Sequence, residues 1–272
     1  MQTVDRAALV RHLVERRLAG EVATARENNL LHYRLLADRD PYYLLGLEPS
    51  PGWSAQSVLE LMAARVGVSA DPEHRCGVDT IDPELVLGAL ERYADRLAGA
   101  ALRRETVLLA TGHPASLARA YQSFADALRG YGCRILHPGA GWSYEAPTRY
   151  GPRRLTLGYT EDVAALWDGE EPVHSHSARP IRATFAALAE AGAALPDLVI
   201  ADHGWCGGAA QAGADAIGFA DCNDPALFVG ESEGVVQVAV PLDDGLAPEL
   251  YDPLAAYVLD RVARTVRVVA ES

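Results

Sequence analysis

The chain has 272 residues, 49% hydrophobic and 22% charged, an ordinary balance for a globular protein and enough length to bury most of its apolar surface in one large domain or two. Its net charge of −13 and pI near 5.0 exclude a duplex-binding surface of clustered Lys and Arg, so no nucleic-acid partner is expected. No stretch approaches the roughly 20 apolar residues of a membrane span, the N-terminus lacks a signal-peptide core, and the four Cys show no zinc-ribbon spacing; a reduced cytoplasm and no membrane association are expected.

Residues 1–104 read as a helical layer or cap. Ala7, Ala8, Leu9, Leu13 and Leu18 form one apolar stripe and Ser57 to Arg65 another. Asp82 fits an N-cap and Pro83 the first position of a third helix running through Leu87, Leu90 and Leu97. From residue 105 to 272 strands and helices alternate, which predicts an α/β, Rossmann-like three-layer core with a mostly parallel sheet. Glu105–Ala110 and Cys133–Leu136 are strands joined by a helix from Pro114 to Arg129. His137 to Gly158, rich in Gly, Tyr and Pro, reads as an excursion or hairpin at the site. A helix runs from Pro180 to about Ala194, the next strand is Leu198–Ala201, and a last helix spans about Pro253 to Val266.

Three strand-like runs end in acidic or imidazole side chains, at Asp202-His203, at Asp221 to Asp224 and at Asp243-Asp244. Loops beyond the carboxyl ends of parallel strands form the ligand crevice of α/β folds, so carboxylates there can hold a metal or move protons. Asp, Asn and Gly also turn chains after buried strands, and Asp243 and Asp244 read mainly as a solvated turn. Asp202 is a candidate metal ligand or general base, His203 an acid or ligand, and Cys206 the alternative nucleophile. The Gly207-Gly208 pair would let a substrate approach backbone N–H groups. Thr111-Gly112-His113-Pro114 joins a strand to a helix whose N-terminus favours an anion, with Thr111, Gly112 and His113 meeting phosphate.

His174 and His176 alternate in extended chain and project together; with Asp202, Asp221 and Asp224 they make a ligand inventory for a divalent metal, Mg²⁺ or Mn²⁺ by the oxygens and Zn²⁺ by the imidazoles. Arg179 lies at the following helix entrance, suited to an oxyanion. Arg26 and Asn28 are candidates to clamp a substrate across the domain junction, and Arg149, Arg153 and Arg154 also favour a phosphorylated ligand.

The runs RENNLLHYRLLAD, DTIDPEL, LLATGHPASL, VHSHSARP, DLVIADHGWCGGAAQAG and FADCNDPALFVG together resemble a phosphatase family found mainly in actinobacteria, over nearly the whole chain. The resemblance implies phosphoester hydrolysis and carries over no residue roles. With no DxDx[TV], CxxxxxR or RHG motif present, metal-assisted hydrolysis of a small phosphorylated metabolite is expected over covalent catalysis by Asp or Cys, with His113 holding phosphate and Asp202 and His203 handling protons. Two other readings use the same residues: a phosphometabolite-binding protein without turnover, and an isomerase, aldolase or hydrolase dependent on a His/Asp-bound metal. A homo-oligomer is compatible with all three.

Overall fold

The computed structural model describes residues 5–147 and 151–271. Helix α1 (Arg6–Glu15) is opened by Asp5, whose carboxylate accepts from the Ala8 amide, and leads into strand β1 (Gly20–Ala25). Helices α2 (Arg26–Ala37) and α3 (Ala55–Arg65) follow, the latter started by a reciprocal Ser54/Ser57 capping box. Strand β2 (Val78–Ile81) then pairs antiparallel with β1, so the first hundred residues are not purely helical as predicted. These strands are too short to show an alternating pattern in sequence, and their pairing joins segments far apart in the chain. Helix α4 (Pro83–Arg103) begins where its sequence signals place it, with Asp82 accepting from the Glu84 amide and Pro83 in the first turn.

The remainder alternates: β3 (Thr106–Ala110), α5 (Pro114–Gly130), β4 (Arg134–Ile135), β5 (Ser143–Ala146), β6 (Arg153–Thr160), β7 (Val163–Asp168), β8 (Glu171–Val173), α6 (Arg179–Glu190), β9 (Leu198–Ile200), α7 (His203–Gln211), β10 (Ala216–Ala220), α8 (Pro225–Ser232), β11 (Val238–Pro241), a 3-10 turn (Pro248–Tyr251) and α9 (Asp252–Glu271). The main sheet is mixed. Strands run in the order β11-β10-β9-β3-β7-β6-β5, with β4 also pairing β3 and β8 pairing β7. β11, β10, β9, β3, β4 and β7 are mutually parallel where they pair, whereas β5, β6, β7 and β8 pair antiparallel. Five of the eight pairings are parallel, so the sheet is mostly parallel as expected but carries an antiparallel edge; residues 143–146 and 153–160, expected as an excursion or hairpin outside the sheet core, pair antiparallel and extend that edge. Arg153 pairs with Asp168 and Arg154 donates to Ser143 on that edge, away from the crevice; Arg149 lies outside the described residues.

Every residue of β9, β10 and β11 is buried, as expected for strands covered on both faces. Apolar side chains of both sequence portions form one continuous core, from Leu9, Leu13 and Met62 to Phe219, Val258 and Val262. Each fully buried Leu, Val or Phe contributes about 1.5–3 kcal/mol relative to exposure. This packing allows α7, rich in Gly and Ala, to form despite its weak intrinsic helix propensity. None of the described helices is long and apolar enough to cross a membrane.

Candidate active site

Because β3, β9, β10 and β11 are consecutive parallel neighbours, their C-terminal loops open on one edge. They deliver His113, then His203 with Asp202 buried behind it, then Asp221, Asn223 and Asp224, then Asp243 and Asp244, to a crevice also lined by Thr24, Asn28, His32, Tyr42, His174 and His176. The 174–178 segment is held over this edge by the Ser175 amide, which donates to the Gly112 carbonyl at 3.0 Å.

Asp202 is fully buried. Its Oδ2 accepts from the amides of Gly112 at 2.8 Å and His113 at 3.1 Å, and lies 2.9 Å from His203 Nδ1. These donors decide its charge: burial raises its pKa, but the His203 bond and the charges of His203 and His113 outweigh that and hold it below the usual carboxylate value. The turn expected to cradle phosphate is thus filled from within. Thr111, fully buried, accepts from the His113 amide, and a Cβ on Gly112 would stand 2.5 Å from the Ser175 carbonyl and 3.1 Å from Asp202 Oδ2. Thr111 and Gly112 are engaged by the protein itself, and glycine is required at 112 because two chain segments touch there.

A similar correction applies to α7. A Cβ on Gly207 would lie 2.3 Å from the Leu45 carbonyl, and one on Gly204 2.3 Å from the His176 carbonyl. These glycines seat the 42–47 and 174–178 segments on the helix and leave no space for a ligand. Cys206 is buried behind them, with its thiol pKa pushed up by burial and by Asp202, so it is no nucleophile.

His203 opens α7 with φ at 48°, a left-handed conformation uncommon for residues other than glycine and characteristic of constrained functional positions. It sits between two carboxylates, Asp202 at Nδ1 and Asp224 Oδ2 3.1 Å from Nε2. Burial alone would depress its pKa; Asp224 and Asp202 raise it well above the ordinary value. The Nε2 contact is an ion contact rather than a directed hydrogen bond, and Nε2 has no hydrogen-bond partner. Asp224 is correspondingly held low by His203 despite its burial.

Around His203 three more imidazoles gather, with ring centroids 4.4 Å away for His113, 4.5 Å for His176 and 5.4 Å for His174. Burial and then the charge of His203 push His113 and His176 down to about 3 and lower His174 as well, so all three are neutral near pH 7.

Asp243 and Asp244 form no solvated turn: they are 5% and 3% exposed. Asp244 Oδ2 lies 3.5 Å from His113 Nδ1 and lacks a hydrogen-bond partner. Burial raises the pKa of both. Asp221 accepts from the Thr24 hydroxyl and the Cys222 amide, yet burial and the nearby Asp243 raise it to about 7.

Two triads bring ligand atoms within 4.8 Å of one another: His113, His174 and His203, and His176, His203 and Asp224. They include the expected ligands His174, His176 and Asp224, add His113 and His203, and leave Asp202 and Asp221 outside. With His203 Nδ1 engaged by Asp202, its free atom is Nε2, on the Asp224 side; a carboxylate fixing the far nitrogen of a ligating imidazole is the usual arrangement behind a metal. Asp202 Oδ1, His203 Nε2, His176 Nδ1 and Asp244 Oδ2 are buried polar atoms without partners. Such atoms are costly unless something binds them, and an N₂O donor set suits Zn²⁺ or Mn²⁺.

Asn28 lines this crevice. Arg26 does not: it is fully buried, bonding Asp79 at 2.9 Å and the carbonyls of His74 and Asp71. Arg179 lines a neighbouring cavity. Sequence reasoning missed His32, whose Nδ1 lies 2.7 Å from the Asn223 carbonyl, as well as Thr24 and Tyr42; no motif marks them, and the pairing of β1 with β2 carries Thr24 to Asp221.

A family model described as Phosphatase matches residues 4–266. A curated Streptomyces coelicolor protein named Phosphatase SCO2771 is 52% identical over 259 residues, covering 94% of this chain and 96% of that one.

Proposed function

The chain belongs to the Phosphatase family, and on that premise we propose that it hydrolyses a small phosphate monoester at the edge formed by β3, β9, β10 and β11, with a divalent metal held by His176, His203 Nε2 and Asp224. The observation that carries this reading is the set of unpartnered buried polar atoms converging there. Charge supports the metal. In the metal-free protein Asp202 and Asp224 are ionised, three imidazoles are neutral and His203 is protonated, so the crevice is anionic overall; a metal at His203 Nε2 would displace that atom's proton to solvent and take its place beside Asp224. A phosphate dianion would be repelled from it unless a further positive charge were bound.

When bound, the metal supplies Lewis-acid charge that neutralises the phosphoryl oxygens. The protein's own groups do the rest. Asp202 fixes the His203 tautomer and ring plane through Nδ1. Neutral His113 and His174 face the same space and can donate to phosphoryl oxygens or orient the attacking water. Asp221, raised to about 7, can keep a proton for a leaving alkoxide near neutral pH, and burial shifts the neighbouring Asp244 in the same direction. Asn28 and His32 also line the crevice and can contact the ester.

The test is phosphate release from a panel of phosphorylated metabolites by chelator-treated protein resupplied with Mg²⁺, Mn²⁺ or Zn²⁺ in turn. Release is expected to require one of these ions and to disappear in Asp224→Asn. No release with any ion sinks the proposal, and full activity in Asp224→Asn moves the site elsewhere.

A further inference from the structure

A second cavity, of about 820 Å³, adjoins the crevice and shares Tyr42, His174 and His176 with it. That volume lies within the roughly 300–1,000 Å³ typical of small-molecule sites. Its character differs from the crevice. Where the crevice is rich in carboxylates, this cavity carries Arg179 and Arg182 beside Tyr144, Leu44 and Leu155, with Glu48 the one carboxylate among its lining residues. Arg179 lies over the Tyr144 ring at 4.8 Å, and Trp142 stacks with Tyr144 at a centroid distance of 5.2 Å. Neither guanidinium forms an ion pair with a carboxylate among the described residues. Arg179 and Arg182 stand one helical turn apart on α6 and both line this cavity, so two guanidiniums can meet one ligand there. Tyr42 forms the partition between the cavities, stacked on His176 with ring centroids 4.5 Å apart and planes 12° from parallel.

Resting on the reading of the crevice as the phosphate site, we propose that this cavity selects the leaving group, and that the substrate is a phosphate ester whose leaving portion carries a second anionic group, a carboxylate or another phosphate, held by Arg179 and Arg182. The ester phosphate sits among the histidines, the leaving portion passes along Tyr42 and His176, and the distal anion meets the two guanidiniums. Arg suits this task because its planar fork pairs with carboxylate or phosphate through two bonds. A site built to pair an anion discriminates against the analogue lacking it, since its own charges are then left without a partner.

The test uses the full chain and two matched esters, phenyl phosphate and 4-(carboxymethyl)phenyl phosphate, whose leaving phenols are nearly equal in basicity but differ by one carboxylate. In the wild type kcat/KM is expected to be about tenfold higher for the carboxylated ester, a difference of about 1.4 kcal/mol. That ratio should fall towards one in the Arg179→Gln/Arg182→Gln double variant. A wild-type ratio near one, or a ratio unchanged in the double variant, overturns the proposal. Binding of 4-hydroxyphenylacetate against phenol, followed by NMR titration, separates the two readings. Preference for the anion without phosphate release from any ester overturns hydrolysis and keeps the anion cavity; release without any preference overturns the cavity alone.

Discussion

Two buried polar clusters, one around Arg26 and one around His203, differ in whether their valences are filled. Around Arg26 every strong group is answered. Asp79 accepts from Arg26, Asn29 and the amides of Ser69 and Thr80, and Arg26 also donates to the carbonyls of His74 and Asp71. Although burial raises the Asp79 pKa, those donors lower it overall. Around His203 the opposite holds, with four buried polar atoms unpartnered and several carboxylates shifted upward. A saturated cluster has no bonding capacity left for a ligand and holds the fold; an unsaturated one retains that capacity. Burial and charge are common to both, so neither is what separates structure from function.

The largest effects should come from removing the open cluster's centre. His203→Ala and Asp224→Asn are each expected to lower phosphate release by about 10³-fold or more, with loss of stoichiometric metal in elemental analysis. Phosphate release with bound metal retained in either variant would refute the assignment of these residues as ligands. Next, Arg26→Ala should destabilise the protein by about 3–5 kcal/mol, because it strands Asp79 as an unpaired buried charge. Chemical denaturation measures that loss. Metal content of the folded fraction should be unchanged; parallel loss of metal and stability would erase the distinction between the clusters.

A smaller effect concerns pH. Asp221 has a folded pKa of about 7 against an ordinary 3.8, so the folded state binds the proton more tightly than the unfolded one. Its contribution is present in full below about 3.8, declines as pH rises, and is lost above about 7. Metal-free wild type should therefore lose melting temperature between pH 4 and 7 more steeply than Asp221→Asn, measured by calorimetry. Identical slopes would show that Asp221 ionises normally. Smallest of all, Cys206→Ala should change activity by less than about twofold and cost about 1 kcal/mol of stability, as a small buried side chain does. A large loss of kcat would restore the thiol to the mechanism.

Much of the site was legible in sequence because strand ends are marked. Apolar runs ending at Ala110, Ala201 and Ala220 locate the loops that hold His113, Asp202, His203 and Asp224, and alternation puts His174 and His176 on one side. The errors have a common cause. Thr111, Gly112, Gly207 and Arg26 were assigned to a ligand, whereas each is occupied by another part of the chain: Asp202 and the 174–178 segment, the Leu45 carbonyl, and Asp79. Asp243 and Asp244 show the reverse error, since a turn-like dipeptide is buried against the crevice by its neighbours.

By itself, the sequence determined the alternating strands and helices of the α/β portion, the start of α4, and which side chains stand at strand ends, because these follow from periodicity and capping within one segment. The tertiary structure alone decided the β1–β2 pair, the antiparallel edge of the sheet and the division of the polar residues into satisfied and open groups. Those depend on which distant segments supply donors and acceptors, and a buried carboxylate's charge and use are set by the partners that reach it.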